Sequence, residues 1–560
     1  MAWAALKLAA LLVVCGVGPG SLLVRRLPWS PLEKLCAAFG ASFIAVYLAG
    51  FSFFLLNAPT WAYWAASGLF LLMGIAGIGQ WRVWLRRRQS RAVLIIWLVV
   101  LAWEFLHLAM VRSYNGGNWC GDWREHYQRS IFFLHQLPLH FVFPGPYILP
   151  ARPPMMNVIA AYFMAQAGPH SFEVYSTVFW FLNGWAFMAC CLFLRSLGGR
   201  WIKAAPALAI LFMLNPSVVE NATLTWTKAC TAGFVVMGVA FYLRWLKRGD
   251  RSRLLAAALS LAAGTLVHYS AAPFAIAVGL HCLTRRRWRE TAAATAAAAG
   301  LMATWLAWSL RVYGTAGTFL SNTTITASAR RSAWLNVEKI FYNCFATLVP
   351  FPIHIWRWYL PLNSWGDLRD YYFMIAQTNL TAMMGISGGI IVLVYLWRPV
   401  LQHRFWLFFL PFIYFVGIAV NGNWEPFGVA QVTHQPMALM GLAFLASLLA
   451  DLLPSLFALV IAGCCVDYLM GILLQFNRQS LTYPVTATSA GETEYLIKVQ
   501  RGYVFWGDHF SHLLIGFQVM SVAGAVLAIY FLLRWRRQTS PSRGGAPAGA
   551  SIARHDMVGG

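Results

Sequence analysis

The segment Asn118-Trp-Cys-Gly-Asp-Trp-Arg-Glu-His-Tyr127 carries side chains that could perform acid-base and phosphate chemistry. It places Asp122, Arg124, Glu125 and His126 close together, directly after an apolar stretch, in a chain of which 11% is charged. A carboxylate in such a chain costs free energy unless it faces water or a partner. We therefore interpret this segment as the candidate site of catalysis, with an ordinary hydrated loop as the alternative.

The composition around this segment is that of an integral membrane protein. Hydrophobic residues make up 59% of the chain, and its mean hydropathy is +0.61. Apolar stretches of bilayer-spanning length predict an all-α, polytopic transmembrane helical bundle with about fifteen spans. The predicted spans lie near 3–23, 37–56, 61–81, 92–111, 172–194, 204–219, 229–246, 254–268, 271–284, 291–310, 374–397, 405–420, 435–452, 455–474 and 512–533.

Basic residues explain the net charge of +24 because they concentrate in alternate loops. This bias is typical of cytoplasmic loops and of contact with anionic lipid, so membrane lipids are expected partners. Nucleic acid is not, since no helix-turn-helix, zinc-finger or RNP pattern accompanies the charge. The basic loops contain Arg25-Arg26, Arg82 to Arg91, Arg195 to Lys203, Arg244 to Arg253, Arg285 to Arg289, Arg398 to Arg404 and Arg534 to Arg537.

Residues 152–168 are apolar enough to count as a further span, but a crossing there would invert the sign of every later loop. We therefore predict an interfacial helix that lies along or dips into the outer leaflet. The external loop then runs from 112 to 171. The other external segments, 215–228, 268–270, 311–373, 421–434 and 475–511, hold polar side chains suited to chemistry, so we expect function on the outer face.

The first external loop resembles that of the GT-C glycosyltransferases, which use polyprenyl-phosphate sugars. The resemblance is carried by Gly121-Asp122, by Glu125 with His126-Tyr127, and by Arg152-Pro153-Pro154 leading into a short apolar helix. Protein O-mannosyltransferases and lipid A aminoarabinose transferases are the most similar members. The resemblance extends over roughly 92–290, and residues 1–91 are interpreted as additional N-terminal transmembrane helices.

The resemblance implies transfer of a sugar from a polyprenyl-phosphate donor to a glycan, lipid or protein acceptor. It implies that Asp122 is the catalytic base, and Glu125 is a second catalytic candidate because it would share a helix face with Asp122. Arg152 and Lys228 are candidates for binding the phosphate. Alternatively, Arg152 extends to lipid headgroups at the end of an interfacial helix.

Four further residues are predicted to bind substrate: His126, Trp226, His268 and Tyr269. Trp226 precedes Lys228 at the outer end of a span, where an indole could stack on a sugar or anchor the chain at the interface. His268 and Tyr269 lie in the turn of the 254–284 hairpin, where a histidine needs a polar partner. The alternative for His268 is a hydrogen bond to a loop carbonyl.

No cofactor is predicted. The sequence has no His-x-x-x-His or paired-Cys motif, so zinc is not expected, although a divalent metal stays open. Nucleotide-binding glycine motifs are also absent, which argues against an ATP-driven pump. Cys120 and Cys344 are external and could pair, but we do not predict a disulfide.

We divide the chain into 1–91, a core at 92–310, an external or interfacial segment at 311–373, transmembrane helices at 374–537, and a disordered cytoplasmic tail at 538–560. The predicted location is the bacterial inner membrane, with the active site facing the periplasm. Two alternatives stay open. One is a transporter or flippase of lipid-linked saccharides, although charges in external loops are unusual for it. The other is an O-antigen polymerase or ligase, which Arg330-Arg331 would suit.

Overall fold

The computed structural model describes residues 2–112, 114, 122–143, 147–168, 171–198, 201–321, 333–349, 375–420, 431–480 and 502–539. Across these ranges the secondary structure is helical and contains no strand. Eight of the described helices are long and apolar enough to cross a membrane, and two bent pairs of helices pass the same test together. The prediction of an all-α membrane bundle is confirmed, but the described residues supply eight such spans, or ten if each bent pair is one span, where the sequence predicted about fifteen. Of the predicted disordered tail 538–560, residues 538–539 belong to the last helix, and residues 540–560 lie outside the described residues.

The helices follow the predicted apolar stretches closely. The first fifteen are α1 (Ala2–Val24), α2 (Pro31–Leu55), α3 (Thr60–Ala76), α4 (Ile78–Arg86), α5 (Arg88–Leu108), α6 (Asp122–His135), α7 (Met155–Ala167), α8 (Phe172–Gly184), α9 (Ala186–Leu197), α10 (Trp201–Leu214), α11 (Pro216–Thr223), α12 (Lys228–Arg248), α13 (Arg251–Val267), α14 (Ala272–Thr284) and α15 (Trp288–Phe319). Later helices include Ala333–Leu348, Leu380–Met383, Gly388–Tyr395, Trp397–Gln402, Phe405–Phe412, Gln431–Leu448, Pro454–Ser480, Trp506–His509 and Leu514–Thr539, and Ile413–Val420 is a π-helix.

Contacts between loops show that the basic segments share one face of the molecule. Glu33 at the start of α2 is fully buried and accepts hydrogen bonds from Arg244 at 2.9 Å and Arg253 at 2.7 Å. Lys247 donates to the carbonyl of Ser196 at 3.0 Å. The pairing satisfies a carboxylate that would otherwise be costly to bury. We call the face formed by these residues the basic face.

Two predicted spans are broken rather than continuous. Residues 61–81 form α3 and α4, which meet at an angle of 57°. Residues 204–219 form α10 and α11, which meet at 70° where Asn215 precedes Pro216. Proline removes a backbone donor, and the Asn215 side chain accepts from the Val218 N–H at 3.0 Å, so a new helix begins there.

The predicted spans 374–397 and 405–420 also divide into short helices. Gly385 adopts φ = +88°, a conformation that glycine tolerates, and it separates Leu380–Met383 from Gly388–Tyr395. The freed N–H of Ile386 donates to Asp467 at 3.0 Å. Hydropathy therefore identified the apolar segments of the chain, but it did not reveal where the helices within them break.

Helix α7 corrects the prediction of an interfacial helix at 152–168. Twelve of its thirteen residues are buried, so protein rather than the membrane surface encloses it. Thirteen residues span about 20 Å, which is shorter than the bilayer core of about 30 Å. Arg152 before the helix and Phe172 after it both contact α6, so its two ends face the same side, as predicted.

Cysteines contribute packing to this fold. Cys344 is a free thiol, and Cys120 lies outside the described residues. Arg330 and Arg331, which the polymerase alternative would use, also lie outside them.

Candidate active site

Helix α6 positions the acidic cluster on the face opposite the basic face. Asp122 is its first residue and Glu125 completes the first turn, where the helix N-terminus favours negative charge. The start of α12 at Lys228 lies beside this turn, and α12 runs 21 residues, about 31 Å, to Arg248 on the basic face. The candidate site and the basic face are therefore separated by roughly the thickness of a bilayer.

Glu125 is held by two arginines and serves as the centre of an ion-pair cluster. Arg129 lies one turn later on α6 and donates to Oε1 of Glu125 from Nη2 at 2.8 Å and from Nε at 3.2 Å. Arg152 donates from Nη2 to Oε2 at 3.4 Å. Burial acts to raise the pKa of Glu125, but Arg152 and Arg129 outweigh it and lower that pKa to about 2. Glu125 is therefore a charged side chain that pairs with two arginines.

Arg129 was missed in the sequence analysis and is the most buried cation of the cluster. Its side chain is 1% exposed, and Nη1 donates to the carbonyl of Leu149 at 2.6 Å. Its guanidinium also lies 4.8 Å from the ring of Phe143. The spacing Glu125-x-x-x-Arg129 is the spacing of helical ion pairs, and that signal could have identified it.

Arg152 lies inside the site rather than at the membrane surface. Its side chain is 17% exposed, and its guanidinium lies 5.0 Å from the ring of Tyr147. Because its Nε and Nη2 both face Glu125, the guanidinium is held close to the first turn of α6. The alternative in which Arg152 extends to headgroups is therefore not the one that this structure adopts.

Asp122 is held by an indole instead of an arginine. Nε1 of Trp226 donates to Oδ2 of Asp122 at 3.2 Å. Burial is the main cause that raises the pKa of Asp122 above its ordinary value of 3.8, and the nearby charge of Glu125 adds to it. Arg152 and Lys228 oppose that increase. The two carboxyl groups therefore have pKa values shifted in opposite directions, which is typical of sites that assign acid-base roles.

Trp226 and Lys228 form a stacked pair next to this carboxylate. Nζ of Lys228 lies 3.4 Å from the centroid of the Trp226 ring, and both side chains are buried. Trp226 is 1% exposed, so it is not an interfacial anchor. The sequence placed both residues at the outer end of a span, but their contact with Asp122 depends on the fold.

Asn183 fixes the turn that carries this pair and was also missed in the sequence analysis. Its Nδ2 donates to the carbonyls of Asn221 at 2.8 Å and Trp226 at 2.9 Å. Its Oδ1 accepts from the backbone N–H of Cys230 at 2.9 Å. A polar amide inside the apolar stretch 172–194 is a signal that could have identified it.

The histidines of the site are buried beside the charged cluster. Burial lowers the pKa of His126 to about 3, against the opposing effect of Glu125, so the ring is neutral at ordinary pH. The buried side chain of Asn157 on α7 faces His126, and its hydrogen bonding acts to raise the pKa of the ring, against the larger effect of burial.

His268 and Tyr269 reach the site from the hairpin between α13 and α14. Nδ1 of His268 accepts a hydrogen bond from the backbone N–H of Ser270 at 3.2 Å. The alternative considered above was a hydrogen bond from the ring to a loop carbonyl, and the bond of Nδ1 is to a backbone N–H instead. His268 lies within electrostatic range of Arg152, His126 and Lys228. The hydroxyl of Tyr269 donates to the carbonyl of Pro150 at 3.1 Å, close to the backbone that binds Arg129.

The fold therefore brings together all eight residues named from the sequence. Asp122, Glu125, His126, Arg152, Trp226, Lys228 and His268 surround one region, and Tyr269 supports its rim. Among the described residues, no group of three or more His, Cys, Asp or Glu side chains could hold a metal ion.

Among known proteins, similarity is found to solved structures. No protein-family model and no curated protein matches the chain. The chain is similar to the crystal structure of ArnT from Cupriavidus metallidurans bound to undecaprenyl phosphate, with 14% sequence identity, a TM-score of 0.46, and coverage of 79% of this chain and 76% of that chain. For ArnT from the same organism in the apo state, the identity is 13%, the TM-score 0.41 and the coverage the same.

Proposed function

We propose that this chain is an integral membrane glycosyltransferase of the GT-C type. It moves a sugar from a polyprenyl-phosphate-linked donor to a lipid, glycan or protein acceptor. One observation carries the proposal: a half-buried carboxylate, Asp122, accepts a hydrogen bond from Trp226 and lies within electrostatic range of two cations, Arg152 and Lys228. The sequence pattern around Asp122 and Arg152 supports the same reading.

Transfer from a lipid phosphate requires a base and a stabilised leaving group. In the proposed reaction the acceptor oxygen attacks the anomeric carbon and gives its proton to Asp122. The bond between that carbon and the phosphate oxygen breaks, and the phosphate leaves with the electron pair. A direct displacement of this kind inverts the anomeric configuration.

Asp122 suits the role of base better than Glu125. A raised pKa makes a carboxylate a better proton acceptor, and Asp122 has this shift while Glu125 has the opposite one. Both oxygens of Glu125 are also engaged by arginines. Glu125 therefore orients Arg129 and Arg152, and Asp122 takes the proton.

Arg152 and Lys228 are the proposed ligands of the leaving phosphate. Positioned cations stabilise the negative charge that develops in the transition state, most strongly where water is excluded. The contacts of Arg152 to Glu125 use Nε and Nη2, and Nη1 is the nitrogen that we assign to the phosphate. Lys228, which lies over the ring of Trp226, adds a second and more compact charge near Asp122.

The proposed location is the bacterial inner membrane, with the site facing the periplasm. The support is the basic face, which carries the charge bias of cytoplasmic loops, about one bilayer thickness away from Asp122. A lipid-linked donor suits a compartment where nucleotide sugars are not supplied.

The test is sugar transfer by the full-length protein in proteoliposomes, using a panel of polyprenyl phosphates that carry labelled sugars. Asp122→Asn removes the proton acceptor while keeping the size of the side chain, so transfer should fall by about 10²- to 10⁴-fold. Asp451→Asn, an exposed position on the basic face, is the matched control and should keep the wild-type rate.

Thermal unfolding of both variants shows whether the loss is catalytic. If Asp122→Asn transferred sugar at the wild-type rate, Asp122 would not be the catalytic base. If the wild type transfers no sugar from any donor but moves the labelled lipid between leaflets, the protein is a transporter of lipid-linked saccharides instead.

A further inference from the structure

Two neighbouring cavities lie outside the candidate active site, and the larger of them is at the basic face. One has a volume of about 390 Å³ and the other about 480 Å³. Leu197, Pro399 and Phe444 line both, so the two cavities are direct neighbours that share a wall. Leu197 ends α9, whereas Phe172 at the start of the preceding α8 packs against Trp123 beside Asp122. The α8–α9 pair therefore separates these cavities from the catalytic cluster.

The smaller cavity is an apolar chamber. Its walls come from α9, from Gly388–Tyr395, from Phe405–Phe412 and from Gln431–Leu448, and none of the described residues that line it is charged. Leu393, Trp406 and Met440 are representative of its surface. A space of this chemistry excludes a polar ligand but accepts a hydrocarbon chain.

The larger cavity adds a polar rim to this chamber. Lys203 and Arg398 line it together with Trp201 and Trp535, and Asp451 supplies the acidic side chain among its described residues. Trp535 is fixed by a hydrogen bond from its indole N–H to the carbonyl of Lys203 at 2.6 Å. Cations beside tryptophans at the end of apolar spans are the arrangement that meets phospholipid headgroups.

We propose that the two neighbouring cavities together bind one anionic phospholipid of the leaflet at the basic face. An acyl chain occupies the apolar chamber, and the phosphate headgroup lies between Lys203 and Arg398. Charge complementarity identifies the occupant, since two lining cations face one acidic residue and a zwitterionic headgroup would bring an additional positive charge. The proposal is independent of the function assigned to Asp122.

The first experiment measures lipid retention by the full-length protein with native mass spectrometry. The probes are phosphatidylglycerol and phosphatidylcholine in equal amounts. The wild type should retain one phosphatidylglycerol in preference to phosphatidylcholine. Because each cation near a membrane surface contributes roughly fivefold to anionic lipid binding, the double variant Lys203→Ala with Arg398→Ala should weaken retention by about 25-fold.

The matched control is a second double variant that removes two positive charges from the basic face. Arg285 and Arg289 are both exposed and lie outside the two cavities, so their double alanine variant should retain phosphatidylglycerol like the wild type. Leu393→Trp fills the apolar chamber from a part-exposed position and should abolish retention of either lipid. Equal losses in both double variants, or equal retention of the two lipids by the wild type, would overturn the proposal.

A second experiment uses the wild-type protein and does not depend on the folding of variants. Phosphatidylglycerol with a photoreactive group in its acyl chain should crosslink to the segments 388–395 and 437–444. Crosslinks elsewhere would contradict the assignment. So would stronger protection of these segments by a polyprenyl phosphate than by unlabelled phosphatidylglycerol, because the occupant would then be a different lipid.

Discussion

The indole N–H of Trp226 donates to Oδ2 of Asp122 at 3.2 Å, across 104 positions of sequence. Nζ of Lys228 lies over the same indole ring, 3.4 Å from its centroid. One aromatic side chain therefore sets the orientation of the proposed base and the position of a proposed phosphate ligand. Any change at Trp226 should affect proton transfer and donor binding together.

Trp226→Phe tests the hydrogen bond to Asp122. Transfer requires ionised Asp122, so its acid limb should lie above pH 3.8, the ordinary pKa of an aspartate. The bond from Trp226 lowers the pKa of Asp122, and its loss should move the acid limb to higher pH. Rates of transfer measured from pH 4 to 8 check this prediction.

Trp245→Phe is the matched control, because Trp245 donates to Glu290 at the same distance of 3.2 Å on the basic face. Its pH profile should coincide with that of the wild type. An unchanged profile for Trp226→Phe would mean that Asp122 does not set the acid limb.

Lys228→Met tests the phosphate contact. Loss of a charge-assisted bond to an anion costs about 1.5–3 kcal/mol, which corresponds to roughly a 10- to 150-fold increase in the KM for the donor. Lys7→Met is the control, since Lys7 also lies over an indole, that of Trp64, at 5.5 Å. If the KM of the donor stays constant while the KM of the acceptor rises, Lys228 binds the acceptor instead.

Glu125→Gln tests the ion-pair cluster of α6. The change removes the carboxylate that pairs with the buried Arg129 and with Arg152, so the free energy of unfolding should fall by about 3 kcal/mol at pH 7. The exposed Glu338→Gln is the control and should change it little.

The same variant also tests how the free energy of unfolding depends on pH. The pKa of Glu125 is about 2 in the folded protein and 4.5 ordinarily, so its contribution is complete above pH 4.5 and is lost as the pH falls towards 2. The stability difference between wild type and Glu125→Gln should therefore shrink from pH 6 to pH 3. A constant difference over this range would contradict the ion pairing of Glu125.

Cysteine labelling tests the topology. Cysteines introduced at positions 88 and 288, where α5 and α15 begin, should react with a membrane-impermeant reagent from the cytoplasmic side alone. Val142→Cys, at a position that is 85% exposed on the face of the active site, should react from the opposite side. If all three cysteines reacted from the same side, the proposed topology would be wrong.

The sequence alone determined the helical membrane architecture and the two sets of loops. In a membrane, an apolar stretch has no water to bind its backbone N–H and C=O groups, so these groups must form hydrogen bonds within the stretch. Hydropathy therefore predicts helices in such a chain. It also located the acidic segment, because charges are rare in such a chain. Arg129 was within reach of the same reasoning, since it follows Glu125 by one helical turn.

The tertiary structure decided which apolar surfaces meet protein and which meet lipid. Lipid chains are as apolar as leucine, so hydropathy does not distinguish the buried helix α7 from an interfacial one. It likewise does not reveal that Trp226 contacts Asp122 or that Arg152 pairs with Glu125, because these contacts join distant segments. Charge and hydropathy are properties of each residue, whereas the shifted pKa values of Asp122 and Glu125 arise from neighbours that folding alone supplies.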